Sequence, residues 1–78
     1  MNRVKLNLFI DKIKENKEIT FRLYNAYYII KYINKKYTIN QIGIDKIYTY
    51  DSITVLFENY LVYGNNLKDL FNDIKIIK

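Results

Sequence analysis

The chain has 78 residues, a formal net charge of +5, no cysteine and no histidine. That length makes a single domain, 1–78, with one modest core that buries a little over roughly 60% of the surface the unfolded chain exposes. The missing residue types exclude disulfides, thiol nucleophiles, the commonest general base and the usual zinc ligands.

The first segment, "VKLNLFIDKIKENK", places Leu6, Phe9, Ile10 and Ile13 at the i, i+3, i+4, i+7 spacing of an amphipathic helix. Lys5, Lys12, Lys14 and Glu15 fall mostly on its other side, and Asn7 is a candidate cap for a helix starting at Leu8. Next, in "EITFRLY", Ile19, Phe21 and Leu23 alternate with polar or amphipathic residues, the pattern of a half-buried strand. Asn25-Ala26 sits where a two-residue turn belongs, although Ala is a poor second residue there. That turn predicts Tyr24 opposite Tyr27, Leu23 opposite Tyr28 and Phe21 opposite Ile30. The second strand runs to Ile33. A turn at Asn34-Lys35 then sets Tyr32 opposite Tyr37, Ile30 opposite Ile39 and Tyr28 opposite Gln41.

After Gly43, "DKIYTY" predicts a fourth strand. Asp51 or Ser52 is placed to cap a helix whose apolar stripe is Ile53, Leu56, Phe57, Tyr60 and Leu61, with Gly64 as its stop. "NNLKDLFNDI" predicts a second short helix with Leu67, Leu70, Phe71 and Ile74 on one side. The tail "IKIIK" reads as an edge strand or a frayed end. The expected fold class is α+β: a three- to four-stranded antiparallel β-meander with an N-terminal helix and a C-terminal helical hairpin packed on one face. The longest runs without a strongly polar residue are far below the ~20 residues that span a bilayer, and the start is too short for a signal peptide. We therefore expect a cytoplasmic protein with no membrane partner.

Catalytic chemistry has little to build on. No Gly-rich phosphate loop is possible with only Gly43 and Gly64, and Ser52 lacks a nucleophile-elbow context. None of the eight carboxylates sits in an apolar run that would raise its pKa. We expect no enzyme activity, no metal and no cofactor.

The surface is more informative. Alternation puts Arg22, Tyr24, Tyr27, Ile29, Lys31, Ile33 and Lys36 on the outer face of the sheet. Exposed aromatics flanked by cations can stack bases and hold phosphates. Ile29 and Ile33 equally suit a protein partner or a second copy of the chain, and tyrosine, a favoured strand residue, also suits a face that is merely solvated. Ile, Lys, Asn and Tyr supply 44 of the 78 residues. All four use A/T-rich codons, so part of the basic and aromatic content is mutational background. Charge is nevertheless uneven: residues 1–40 hold nine Lys/Arg against three Asp/Glu, and residues 41–78 hold four against five. A helix-turn-helix reading of "FENYLVYGNNLKDLF" is disfavoured, because Asp69 and Asp73 would face phosphates.

The stretches "EITFRLYNAYYII" and "DSITVLFENYLVYGNNLKDLFNDIKII" resemble small uncharacterised α+β proteins of A/T-rich Gram-positive bacteria and their phages. In these a strand and an N-G turn precede an aspartate-capped helix, a Gly turn and an L-K-D helix. Asn25-Ala26 departs from N-G, and the shared motifs are structural punctuation. The resemblance implies a phage or mobile-element gene and carries no activity with it. The resulting expectation is a non-enzymatic protein that binds and inhibits a protein or nucleoprotein complex, such as a bacterial defence effector. Two alternatives stand beside it: a single-stranded RNA or DNA binder, and a homodimer through the outer sheet face.

Overall fold

The computed structural model describes the backbone of residues 3–77 and the side chains of residues 6–77. The first amphipathic run forms a helix, α1 (Arg3–Asn16). It starts earlier than its spacing suggested, so Asn7 is an exposed position inside the helix rather than its cap. Phe9 and Ile13 are fully buried, and Leu6 packs against the same core. The helix ends at Lys17, whose φ of 66° and amide bond to the Ile13 carbonyl (2.8 Å) make a left-handed cap.

Three strands follow as a meander: β1 (Glu18–Leu23), β2 (Ala26–Ile33) and β3 (Lys36–Gln41). The β2–β3 hairpin has the predicted register, with Tyr32 opposite Tyr37, Ile30 opposite Ile39 and Tyr28 opposite Gln41. Asn34 and Lys35 both take positive φ, 53° and 67°, which matches a two-residue turn to the twist of its strands.

The β1–β2 hairpin differs from expectation by two residues. Its turn is Tyr24-Asn25, so Leu23 faces Ala26, Phe21 faces Tyr28 and Ile19 faces Ile30. A slip of two keeps the side chains that remain in the ladder on their predicted faces, and Ile19, Phe21 and Leu23 are all buried. The observed register moves Ala26 out of the turn and into the ladder. It also stacks Phe21 on Tyr28 (centroids 5.4 Å apart, planes 17° apart). Pairing then continues beyond the strand through the Tyr32 amide and the Lys17 carbonyl, 2.9 Å apart.

The fourth strand, β4 (Tyr48–Tyr50), is half the predicted length. After Gln41 the Ile42 amide bonds the Tyr27 carbonyl (2.8 Å), and local bonds from Ile44 to Gln41 and from Lys46 to Ile44 engage the backbone in turns. Pairing with β3 resumes only at Tyr48, opposite Ile39.

Ser52 caps α2 (Ile53–Asn59), its hydroxyl accepting the Val55 amide at 3.1 Å. Asp51, the other candidate, pairs with Lys36 instead. The helix stops at Tyr60, four residues before Gly64. Tyr63 and Gly64, with φ of 54° and 79°, turn a small hairpin between β5 (Leu61–Val62) and β6 (Asn65–Asn66). This buries Val62 and leaves Leu61 exposed, contrary to the helical stripe. Asn66 then caps the single turn α3 (Leu67–Leu70), accepting the Asp69 amide at 2.9 Å, and a 3₁₀ turn (Phe71–Asp73) follows. Leu67, Leu70, Phe71 and Ile74 are all buried, as their spacing predicted.

The tail is an edge strand, β7 (Lys75–Ile76), pairing antiparallel with β1; Lys78 lies outside the described residues. The five-stranded sheet has the order β4-β3-β2-β1-β7. The fold is thus α+β, with α1 and the short C-terminal helices packed on one face of an antiparallel sheet. All four phenylalanines meet there. The ring of Phe9 lies edge-on to Phe21, Phe57 and Phe71 at 5.6–5.8 Å, an arrangement that aromatic quadrupoles favour.

Candidate interaction face of the sheet

Because the helices pack on one side, strand alternation leaves the other side of the sheet uncovered. β2 runs down its middle and presents Tyr27, Ile29, Lys31 and Ile33 there. Tyr27 is 45% exposed and Ile33 48%, and Ile29 is half-buried between its cross-strand neighbours Thr20 and Asn40. Arg22 lies opposite Tyr27, and Lys31 lies between Glu18 and Thr38. Six of the seven predicted residues therefore share this face.

Two of the seven behave differently from the sequence expectation. Tyr24 sits in the β1–β2 turn, with φ of 57°, and leans toward the C-terminal segment. Its hydroxyl donates to Asp73 Oδ2 at 3.0 Å, and its ring meets that of Tyr63 with centroids 5.7 Å apart. The bond to Asp73 is the main reason its phenol pKa is raised, with burial, the Asp73 charge and Tyr63 adding to it. Lys36 is on the face, but its ammonium pairs with Asp51. That hydrogen bond and charge hold the Asp51 carboxyl below the usual range. Solvent screening makes the pair a minor contributor to stability, and it engages a cation that was a candidate for phosphate.

Two further features had no clear signal in the sequence. The loop between β3 and β4 exposes Ile42, Ile44 and Ile47, the last by 66%, next to the Tyr27 end of β2. A strand over residues 45–50 takes in only Ile47 of this rim; Gly43, at φ 97°, is the visible hint of the turn that exposes the others. At the opposite sheet edge, the β1–β7 register sets Arg22 directly opposite Lys75. Neither residue announces the other in sequence, since pairing depends on where the tail docks.

The inner face also has an opening. Leu6, Ile10, Ile53 and Phe57 line an apolar cleft of about 140 Å³ between α1 and α2, with Glu58 and Lys68 among its lining residues. Among the described residues no group of three or more His, Cys, Asp or Glu is placed to hold a metal ion. No helix among them is long and apolar enough to cross a membrane. Compared with family models, curated proteins and solved structures, the chain matches none.

Proposed function

We propose that this chain is a non-enzymatic binding protein that engages a protein or nucleoprotein complex through the open face of its sheet and acts by occluding it. The observation that carries this reading is the uncovered central strand. Tyr27, Ile29 and Ile33 form an apolar line there, broken by Lys31 and continued by the exposed isoleucines of the β3–β4 loop. Scattered exposed apolar residues are ordinary, but a line of them along the middle of a sheet marks an interaction surface. The target class we favour is a bacterial defence effector, on the grounds of small size, absence of catalytic groups and the A/T-rich composition.

Site-specific photocrosslinking tests the reading. A crosslinking side chain replaces Ile33 on the open face or Glu58 on the helical side, in lysate of an A/T-rich bacterial host. The expected result is one discrete adduct from position 33 that position 58 does not give. Equal labelling from both positions, or none from position 33, sinks the proposal.

A second reading, binding of single-stranded RNA or DNA, draws support from Arg22 and Lys31 flanking Tyr27 on the same face. It predicts an affinity that falls roughly a hundredfold between about 50 and 200 mM salt for about four phosphate contacts. The double substitution Tyr27→Ala with Lys31→Ala then abolishes binding. Fluorescence anisotropy of labelled single strands reads both effects.

A further inference from the structure

A separate cluster forms at the corner where the C-terminal end of β1 meets the start of β7. Arg22, Tyr24, Asn72, Asp73 and Lys75 line a cleft of about 280 Å³ there. Arg22 and Lys75 face each other across the ladder. Like charges directly opposite one another destabilise a strand pair. Among the described residues neither cation has an ion-pair partner. The Arg22 Nε donates to the Tyr24 carbonyl at 3.1 Å, which orients the guanidinium and leaves its two terminal nitrogens available. A bound anion would remove the repulsion and use both cations.

The rest of the corner narrows the choice of anion. Tyr63 is 75% exposed, and its ring stands against that of Tyr24. Both tyrosines hold left-handed backbone conformations, which are costly for a bulky residue. The two turns thus bring together rings from positions 24 and 63, leaving Tyr63 open for stacking. Asp73 uses one oxygen on the Tyr24 hydroxyl, and its other oxygen can accept a hydrogen bond from an alcohol. Phosphate on paired cations, a sugar hydroxyl on a carboxylate and a flat ring on a tyrosine are the recognition chemistry of a ribonucleotide. A plain inorganic anion would leave Asp73 and Tyr63 without a role.

We infer that this corner binds the phosphate, ribose and base of a single ribonucleotide, with Arg22 and Lys75 on the phosphate, Asp73 on a ribose hydroxyl and Tyr63 stacked on the base. The group is either a free nucleoside monophosphate or the 5′-phosphorylated end of an RNA strand. The site adjoins the open face and shares Arg22 with it, while Ile29, Ile33 and the β3–β4 loop take no part in it.

The test is titration of the isotope-labelled chain, followed by its amide spectrum. The ligands are adenosine 5′-monophosphate, adenosine, inorganic phosphate and short oligoribonucleotides with and without a 5′-phosphate. The expected result is that adenosine monophosphate shifts the amides of residues 22–24, 63 and 72–75. It should bind about tenfold or more tighter than adenosine, the gain of charge-assisted phosphate bonds. Arg22→Gln with Lys75→Gln should erase that difference. If the double change loosens β7, Arg22→Gln alone should reduce it. Tyr63→Asn, which tolerates the same backbone, should weaken the nucleotide and leave inorganic phosphate unaffected. A phosphorylated oligonucleotide that outcompetes the mononucleotide identifies the strand end as the natural ligand, and equal affinities identify the free nucleotide. Adenosine binding as well as its monophosphate, shifts confined to other residues, or variants that bind unchanged would overturn the assignment.

Discussion

Phenyl and phenol rings divide the molecule between them. Phe9, Phe21, Phe57 and Phe71 have no polar atom and meet in the core. Of the nine tyrosines only Tyr28 and Tyr37 are buried, and the others keep part of the ring or the hydroxyl at the surface. Phe9 touches all three other phenylalanine rings, so Phe9→Ala should cost about 3–5 kcal/mol. That is a large share of the total stability of a domain this small, and a urea midpoint shifted far downward, or no cooperative transition at all, is the expected readout. Tyr60 is the most perturbed phenol. Burial first, and then Tyr28, Tyr48 and Tyr50 around it, push its pKa from 10.0 up to about 12. The fold favours its neutral form. The associated stability is therefore intact below pH 10 and drains away as pH rises from 10 toward about 12. Tyr60→Phe should flatten the alkaline limb of a thermal-stability profile, and tyrosinate absorbance should show one late-titrating phenol that the variant lacks.

Individual elements show where sequence patterns suffice and where they do not. Adjacent Asp51 and Ser52 were equivalent cap candidates by residue type. Ser52 bonds the Val55 amide, while Asp51 turns to Lys36. Ser52→Ala should accordingly cost about 1 kcal/mol, and Asp51→Ala should leave the denaturation midpoint nearly unchanged. The β2–β3 hairpin was legible to the residue because Asn34 is a preferred left-handed turn residue and β3 alternates Tyr37 and Ile39 with Lys36, Thr38 and Asn40. In the β1–β2 hairpin the left-handed position falls on Tyr24, which local propensity does not nominate. Its tertiary contacts with Asp73 and Tyr63 lie 49 and 39 positions away and hold it there. The parity of the faces survived that error, so apart from Tyr24 the inward and outward residues of these strands lie on their predicted sides. The α2 stripe went wrong at Leu61 for a similar reason. Helical spacing continued past Tyr60, but Tyr63-Gly64 favours a tight hairpin, and the Tyr60 ring is held edge-on by Tyr28 and Tyr48.

At the scale of the whole molecule, the two sides of the sheet differ in kind. One is closed over an apolar core centred on four phenylalanines, and the other presents a line of apolar and basic groups. The open face was legible because alternation alone sorts residues between sides. The Arg22–Lys75 corner was not, because it requires the tail to dock beside β1. If the face serves a different macromolecule, the chain should sediment with a monomer's mass across a wide concentration range, and Ile33→Glu should leave that mass unchanged. A mass that doubles with concentration and reverts in Ile33→Glu would instead assign the face to self-association.

The lengths of the sheet edges bear on what such association can produce. One border strand has three residues and the other two, too few to template a neighbour's backbone. Growth by adding sheet to sheet along the edges is thereby discouraged, and contact through the broad side is left. A broad-side contact between like molecules uses the same patch twice and is then consumed. Whatever this protein joins, its geometry favours a complex of fixed and small stoichiometry over a filament.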